Sequence, residues 1–375
     1  MSGALDGIVV ADFSRVLAGP YATMLLGDLG AEVIKVERAG VGDDTRGWGP
    51  PFDPTGMATY FGSINRNKSS LFLDLGSDDG MSQARALAHR ADIMIENFKP
   101  GAFDRMGLGY EAISAVNPGV IYCSISGFGS GAGAELPGYD LLVQAMGGLM
   151  SVTGPGPGEP TKVGVALVDV ITGLHAAYGI LAALHHRSVT GVGQHVEVNL
   201  LSSLLSAMVN QSAAQVAGGV TPGILGNDHP SITPYSVYAT GDRQLIIAVG
   251  NDQQFRSAVT VLGIAEMADD ERFATNTARV AHRDLVRTMM EERLVTHGAD
   301  HWYAELTKVG VPCGPINDIA TAFGLATDLG LNPIVNVDGS SIPLVANPVQ
   351  MSATPPTYRL APPVMPGSKD SIAGA

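Results

Sequence analysis

One carboxylate stands out because of its surroundings. The segment TKVGVALVDVITGLHAAYGILAALHH (Thr161 to His186) is largely apolar or small, yet it contains Asp169. Removing an ionised carboxylate from water is costly unless a partner group compensates. Two explanations stay open. Asp before an apolar helix is a favoured N-cap, and a carboxylate at a helix N-terminus is also placed to act as a nucleophile, with backbone donors available to a developing oxyanion.

Basic side chains are concentrated near the N-terminus. Ten of the 22 Lys and Arg residues lie in the first 105 positions. Those considered as ligand contacts are Arg15, Lys35, Arg38, Arg46, Arg66, Lys68, Lys99 and Arg105. Arg15, Arg38 and Lys99 directly follow predicted strands, where ligands of open α/β sheets bind. The pattern therefore suggests contacts to ligand phosphates, although an ordinary solvated charge explains any single one of these residues.

Three further polar residues have both a structural and a catalytic interpretation. Tyr139 and Asp140 follow Pro137-Gly138 at the predicted start of a helix, where Asp140 is most simply an N-cap. His229 lies in the loop GNDHPSITPYS. A loop histidine can be catalytic, but turn chemistry accounts for most such residues. Cys123 and Cys313 have no metal-ligand spacing, and the sequence predicts no metal site.

The elements that must position these residues begin with a β-α-β unit. GIVVADF (Gly7 to Phe13) and AEVIKVE (Ala31 to Glu37) are predicted strands, and AGPYATMLLGDLG between them is a predicted helix. A helical crossover indicates parallel pairing. SLFLDL, ADIMIEN and GVIYCSIS extend the pattern, so a doubly wound α/β fold is expected over about the first 125 residues. The turn DFSRVLAGP lacks G-x-G-x-x-G, which argues against a dinucleotide site.

The remainder of the chain predicts a second domain and a returning tail. From Tyr139 to about Gly218 the pattern is helical. A hairpin of SVYAT and RQLIIAVG followed by helices indicates a compact α+β unit over 225–319. The proline-rich segment that follows is expected to pack back on the first domain. The predicted organisation is a large domain of 1–218 with 320–375, and a small domain of 225–319.

Composition excludes several classes of function. The 375 residues carry a formal net charge of -14, which argues against a general nucleic-acid or anionic-membrane binder. The N-terminal MSGALDGIVV lacks a signal-peptide pattern. Every long apolar run is interrupted by a charged or polar residue, so the sequence predicts no membrane span. Two cysteines in a chain of this length fit a reduced setting, so a cytoplasmic location is expected.

Several segments, taken together and in order, resemble the family III CoA-transferases, the group that contains formyl-CoA transferase and carnitine CoA-transferase. The segments that carry the resemblance include ADFSRVLAGPYATMLLGDLGAEVIKVER, ADIMIENFKPGAFDRMGLGYEAISAVNPGVIYCSISGFG, PGYDLLVQAMGGLMSVTG, VGVALVDVITGLHAAYGILAAL and VPCGPIND. The resemblance covers nearly the whole chain. It implies a Rossmann-like large domain, a smaller α+β domain and a homodimer whose subunits interlock like links of a chain.

The resemblance also implies roles for individual residues. The family's catalytic Asp falls on Asp169. The CoA-contacting positions fall on Arg15, Val16, Leu17, Ala18, Arg38, Asn97, Phe98 and Arg105. Tyr139, Asp140, Gly226, Asn227 and His229 become further active-site candidates. The implied ligands are acyl-CoA and a carboxylic acid as substrates, with no permanently bound cofactor.

The implied reaction is transfer of CoA from an acyl-CoA to an acid through mixed-anhydride and aspartyl-CoA thioester intermediates on Asp169. One alternative is an α-methylacyl-CoA racemase, since racemases belong to the same family. Their histidine lies in a GHD segment where this chain has GYD with Tyr139, and a phenol is a poor proton relay at neutral pH. A non-catalytic acyl-CoA-binding protein is the second alternative. The loop LGNDHPSITPYS replaces the glycine run that covers the site of formyl-CoA transferase.

Overall fold

The computed structural model describes residues 3–337, 340 and 342–366. These form two compact units. The first unit consists of the described parts of Met1–Leu149, Lys162–Thr221 and Gly330–Ala375, and the second unit of Met150–Thr161 and Pro222–Leu329.

A parallel sheet of six strands is the centre of the first unit. Its strands are β1 Val9–Asp12, β2 Glu32–Arg38, β3 Lys68–Leu73, β4 Ile93–Glu96, β5 Ile121–Ser126 and β6 Gln194–Asn199. They lie in the order β3-β2-β1-β4-β5-β6, so the order reverses between β1 and β4. Such a switch point opens a crevice at the carboxyl ends of two neighbouring strands. The mixed α/β class and the five predicted strands are confirmed.

Strand β6 was not predicted, because the whole of 139–218 was expected to be helical. Its sequence QHVEVN pairs in parallel with β5, from Ile121 opposite Gln194 to Ser126 opposite Asn199. The strand is short and polar and lies between two apolar helices, so its alternation is easily taken for a helix end. Its placement at the sheet edge explains its partly exposed side chains.

Nine helices are described in the first unit. They are α1 Ala18–Asp28, α2 Thr59–Ile64, α3 Asp78–Arg90, α4 Ala102–Arg105, α5 Tyr110–Ser114, α6 Asp140–Met146, α7 Leu167–Thr190, α8 Leu200–Ala207 and α9 Val209–Val216. Short 3₁₀ turns occur at Asp44–Gly47 and Leu149–Ser151, and Met150 and Ser151 of the latter belong to the second unit. Helices α1 and α7 cross closely at Gly173, where an added Cβ would lie 2.6 Å from the Ala18 carbonyl oxygen. Any larger residue at 173 would therefore push the two helices apart.

Helix α7 is long and apolar enough, by length and composition alone, to cross a membrane. In the first unit, Val168, Ala176 and Ile180 of this helix are fully buried in the same cluster as Val10 and Ile93 of the sheet. One face of α7 therefore packs against the sheet as part of the core. Its single acidic residue lies in its first turn, at Asp169.

The second unit is built on a three-stranded antiparallel sheet, β7 Tyr235–Ala239, β8 Gln244–Ala248 and β9 Cys313–Pro315. Its helices are α10 Asp252–Val261, α11 Asn276–Ala281, α12 Arg283–Leu294, α13 Ala299–Lys308 and α14 Ile319–Asp328, with a 3₁₀ turn at Ala265–Ala268. The predicted hairpin is confirmed as β7 and β8. Phe255, Leu294 and Trp302 belong to its own core, separate from that of the first unit.

The C-terminal segment contributes a small antiparallel pair, β10 Ile334–Val335 and β11 Leu344–Val345. It is tied to the first unit by Arg66, which donates to the Val345 carbonyl at 2.9 Å, and by Arg359, which donates to the carbonyls of Gly27 and Ala31. The predicted domain limits differ from the observed division in two segments. The residues of 150–161 and helix α14 belong to the second unit.

Candidate active site

Asp169 borders a cavity of about 430 Å³ in the first unit. The cavity lies at the carboxyl ends of β1, β4 and β5, at the switch point of the sheet. Of the residues predicted from the sequence, it brings together Asp169, Arg15, Val16, Leu17, Ala18, Asn97, Phe98 and Tyr139. Residues far apart in the chain are thus placed around one carboxylate, which is partly buried.

Asp169 is not the cap of its own helix, so that interpretation of its position was wrong. Helix α7 begins after Ala166, which makes no side-chain cap, and Asp169 is in its first turn. The cap comes from Asp140, whose Oδ2 accepts the N–H of Val168 at 2.8 Å and that of Asp169 at 3.2 Å. Asp140 was expected to cap α6, whose N-cap is Tyr139. A bond spanning 29 residues has no local sequence signal.

Burial makes the Asp169 carboxyl harder to ionise. Desolvation, and to a lesser extent the negative charge of Asp140, together raise its pKa from 3.8 to about 7. The carboxyl therefore titrates near neutral pH, as active-site acids and nucleophiles often do. The expectation that the first amides of α7 would serve an oxyanion also needs correction, because two of them already donate to Asp140.

Tyr60 is a functional candidate that the sequence reasoning missed. Burial, together with the negative charges of Asp169, Asp140 and Asp43, raises its pKa to about 12. The phenol is therefore protonated across the physiological range and is close enough to Asp169 to feel its charge. Its ring meets Trp48 edge-on at 5.4 Å between centroids. Tyr60 lies in the short helix α2, in a segment with no recognisable motif.

The turn from Arg15 to Ala18 is held in an unusual backbone conformation. Val16 has φ of 67°, which is rare for a β-branched residue. Its N–H donates to Asp43 at 3.3 Å. Asn97 holds the preceding residue on both sides, accepting the Arg15 N–H at 2.8 Å and donating to the Arg15 carbonyl at 2.7 Å. Strain that the surroundings enforce is common at functional sites.

A buried network of charges lies beneath this turn. Lys35 pairs with Asp43 at 2.8 Å and donates to the Ser14 carbonyl at 2.9 Å. Lys68 pairs with Asp12 at 3.1 Å. Burial lowers the pKa of Lys68 to about 8, with Asp12 opposing the shift. Burial also raises the pKa of Asp12, but Lys68 and Lys35 hold it below its ordinary value.

Four basic residues considered as ligand contacts are therefore internal. Lys35 and Lys68 belong to this network, Arg46 pairs with Glu37, and Arg66 pairs with Asp28. All four side chains are nearly inaccessible, so they position the backbone rather than meet a phosphate. A count of charges along the chain could not separate them from exposed residues such as Arg15 and Arg38.

Arg38 borders a second cavity, of about 270 Å³, which adjoins the first. The two cavities share Arg15, Asp44 and Phe98. Arg15 and Arg38 both approach Asp44, at 3.7 and 3.5 Å, and the Arg15 guanidinium lies 4.6 Å from the centre of the Phe98 ring. The pair of cavities suits a long ligand with an anionic portion. Arg105, which ends α4, lies outside the described lining of both cavities.

The candidates Gly226, Asn227 and His229 lie in the second unit. His229 is anchored there, because its Nδ1 accepts the Ser231 N–H at 3.0 Å and its carbonyl accepts from Arg283 at 2.9 Å. Gly226 has φ of 61°, which favours glycine. Their role in catalysis stays a prediction. Among the described residues, no group of three or more His, Cys, Asp or Glu side chains could hold a metal ion.

Comparison with known proteins decides the family. The family model described as CoA-transferase family III matches residues 5–368. The chain belongs to this family. It is 44% identical to the succinate–glutarate CoA-transferase of Agrobacterium fabrum, over 94% of this chain and 91% of that protein. It is 41% identical to the succinyl-CoA:glutarate CoA-transferase of Mus musculus, over 92% of this chain and 79% of that protein.

A solved structure agrees with this assignment. The CAIB/BAIF family protein from Brucella suis is 43% identical, covers 100% of this chain and 99% of its own, and superposes with a TM-score of 0.87. This family III CoA-transferase is thus an enzyme that moves CoA between acyl-CoA thioesters and carboxylic acids. The resemblance deduced from the sequence segments is confirmed, and the racemase and non-catalytic alternatives are not favoured.

Proposed function

We propose that this transferase moves CoA between C4 and C5 dicarboxylic acids by covalent catalysis on Asp169. The observation that carries the proposal is the placement of the Asp169 carboxylate in one cavity with the Arg15–Ala18 turn, Asn97 and Tyr139. Two relatives above 40% identity have names that combine succinate or succinyl-CoA with glutarate. Arg15 is an exposed cation in the cavity, and its planar guanidinium is proposed to bind the free carboxylate of a dicarboxylic acid.

The proposed reaction has four transfers. The Asp169 carboxylate attacks the succinyl-CoA carbonyl, forming a mixed anhydride and expelling CoA thiolate. The thiolate attacks the aspartyl carbonyl of the anhydride, which releases succinate and leaves an aspartyl-CoA thioester. Glutarate attacks that thioester, giving a second anhydride and thiolate, and the thiolate then takes the glutaryl group and frees Asp169. This covalent route replaces the direct attack of the acceptor carboxylate on the succinyl-CoA thioester, which would be slower.

The environment of Asp169 suits these steps. The desolvation that raises its pKa to about 7 also strengthens its basicity, so that its ionised form is a stronger nucleophile than a solvated carboxylate. Activated acyl groups on Asp169 would be short-lived in free water, and apolar surroundings limit hydrolysis. Turnover requires the ionised form, so kcat/KM should fall as the pH drops below about 7.

CoA is proposed to span the two adjoining cavities. Its thiol end would lie at Asp169, along the turn formed by Arg15, Val16, Leu17 and Ala18 and beside Asn97 and Phe98. Its nucleotide end would reach the second cavity at Arg38, whose side chain is 60% exposed. Arg105 is proposed as an outer contact to the phosphates. Tyr139 borders the cavity and Asp140 holds the start of α7, and both are proposed to complete the site. Gly226, Asn227 and His229 stay active-site predictions from the family resemblance.

A homodimer is also proposed. Apolar side chains are exposed along α6 to α9, among them Leu141 at 53%, Tyr178 at 66% and Val216 at 87%. Exposed apolar side chains concentrated on neighbouring helices favour a protein–protein contact there. A second copy that covers these helices would account for their exposure, in agreement with the interlocked dimer that the family resemblance implies. A cytoplasmic location remains part of the proposal.

Mass spectrometry tests the covalent mechanism. The wild-type enzyme is incubated with succinyl-CoA alone and digested, and the peptide that contains Asp169 is searched for a succinyl or CoA adduct that hydroxylamine removes. We expect the adduct in the wild type and in the control Asp79→Asn, which changes an exposed residue of α3. We expect none in Asp169→Ala, whose turnover of succinyl-CoA with glutarate should fall at least about 10³-fold. Full turnover by a folded Asp169→Ala enzyme would contradict the proposal.

A further inference from the structure

Asp140 and Gln144 link helix α6 to the segment that leads into Asp169. The Oδ2 atom of Asp140 accepts the N–H groups of Val168 and Asp169. Its Oδ1 atom accepts from the side-chain amide of Gln144 at 2.5 Å, and the amide oxygen of Gln144 accepts the Val163 N–H at 2.9 Å. Gln144 is 1% exposed. One carboxylate and one amide therefore fix the approach to α7 and the start of the helix.

This arrangement changes what the helix end does to Asp169. An open helix N-terminus offers unpaired N–H groups and a positive dipole end, both of which stabilise a nearby carboxylate. Here a second carboxylate occupies those donors and offsets the dipole. Within the described part of the chain, no hydrogen bond is donated to the Asp169 carboxylate itself. Its ionised form is thus left without the support that its position in the helix would normally give.

We propose that Asp140 is a positioning residue for the transferase reaction: its carboxylate fixes the first turn of α7 and keeps that turn's amides from stabilising Asp169, which stays strongly basic and nucleophilic. This inference rests on the proposed role of Asp169 as the nucleophile. The raised pKa of Asp169, to which Asp140 contributes after desolvation, agrees with it. Asp140 itself does not contact the reacting atoms, because its two oxygens are engaged by three N–H groups.

Other ionisable groups face the same space. Tyr60 of α2 and Tyr139 before α6 are phenols, and Arg15, Asp44, Lys99 and Glu135 line the same cavity. The cations are already paired, Arg15 with Asp44 and Lys99 with Glu135 at 2.5 Å. Asp140 is the charged group that raises the pKa of Asp169. The charge of Asp140 is therefore the one to remove.

The test compares Asp140→Asn and Asp140→Ser with the wild type. Both substitutions remove the charge. Asn keeps one acceptor oxygen for the α7 amides but places an NH2 group opposite that of Gln144, whereas the smaller Ser avoids this clash and replaces only one of the two acceptor oxygens. The rate of adduct formation on the Asp169 peptide from succinyl-CoA is measured by mass spectrometry between pH 5.5 and 8.5. We expect the ratio of the rate at pH 6 to that at pH 8 to rise about threefold or more, and the rate at pH 8 to fall, because a less basic carboxylate is a weaker nucleophile.

Asp79→Asn is the matched control. Asp79 also lies in the first turn of a helix and also accepts from a glutamine four residues later, Gln83, at 2.8 Å, but on the exposed surface of α3. Its pH profile should match that of the wild type. Folded Asp140→Asn and Asp140→Ser enzymes whose profiles are unchanged would overturn the inference, even with an adduct on Asp169. An adduct elsewhere, or turnover without Asp169, would instead refute the proposed function.

Discussion

At the scale of single residues, the cost of keeping Asp169 away from water has a measurable consequence for stability. The pKa of its carboxyl is raised in the folded state, to about 7 from 3.8. A group of this kind favours the folded state below pH 4 and loses that contribution as the pH rises through 7, because folding then opposes ionisation. The proposed catalytic role of Asp169 and the stability of the fold are thus in conflict at this position.

Replacement of Asp169 by Ala should therefore stabilise the protein more at high pH than at low pH. Relative to the wild type, we expect the free energy of unfolding of Asp169→Ala to improve by roughly 1–2 kcal/mol between pH 4 and pH 8, since no carboxylate is left to desolvate. Denaturant unfolding at the two pH values measures the difference. Asp79→Asn, which removes an exposed charge, should show no such pH dependence. An equal pH dependence in both variants would refute the explanation.

At the scale of elements, the turn after β1 depends on ion pairs beneath it. Val16 holds a positive φ, and its N–H bonds to Asp43, which Lys35 of β2 neutralises. A buried pair is weak support for stability as a whole, but removal of one partner leaves an uncompensated charge. The pair is therefore best understood as a device that fixes the conformation of the turn that is proposed to bind CoA.

Lys35→Met should destabilise the protein by about 3–5 kcal/mol, because Asp43 would remain buried without its cation. Calorimetric or denaturant unfolding measures this loss. The double variant Lys35→Met with Asp43→Asn should recover part of it, and its KM for succinyl-CoA should stay raised because the Val16 turn is less firmly held. Lys99→Met, which breaks an exposed pair with Glu135, is the control and should cost less than about 1 kcal/mol.

The sequence was informative about elements wherever local pattern and burial agreed. Apolar runs located β1 to β5, and the apolar run around Asp169 marked the helix that bears it. The sequence could not reveal β6, whose polar alternation lies between helical patterns. It also could not reveal the capping of α7 by Asp140, which belongs to another helix. Nor could it distinguish Lys35 and Lys68 from solvated lysines, because each partner is brought close only by the fold.

At the scale of the whole molecule, the proposed homodimer should be disrupted by a charge placed among the exposed apolar side chains of α6 to α9. Tyr178→Glu places a charge on the outer side of α7, where Leu174 is also exposed. We expect light scattering after gel filtration to show a lower mass for this variant than for the wild type. Val116→Glu, at a 61% exposed valine after α5, is the control and should leave the mass unchanged. A monomeric wild type would refute the proposed dimer.

The cations that border the two cavities already have carboxylate partners within the protein. Arg15 and Arg38 share Asp44, and Lys99 pairs with Glu135. When a polyphosphate binds there, it replaces the carboxylate partner of each cation. It therefore gains less binding free energy from each cation than it would from an unpaired one. Its affinity should accordingly respond only gently to ionic strength, and its release after each catalytic cycle should be correspondingly easy.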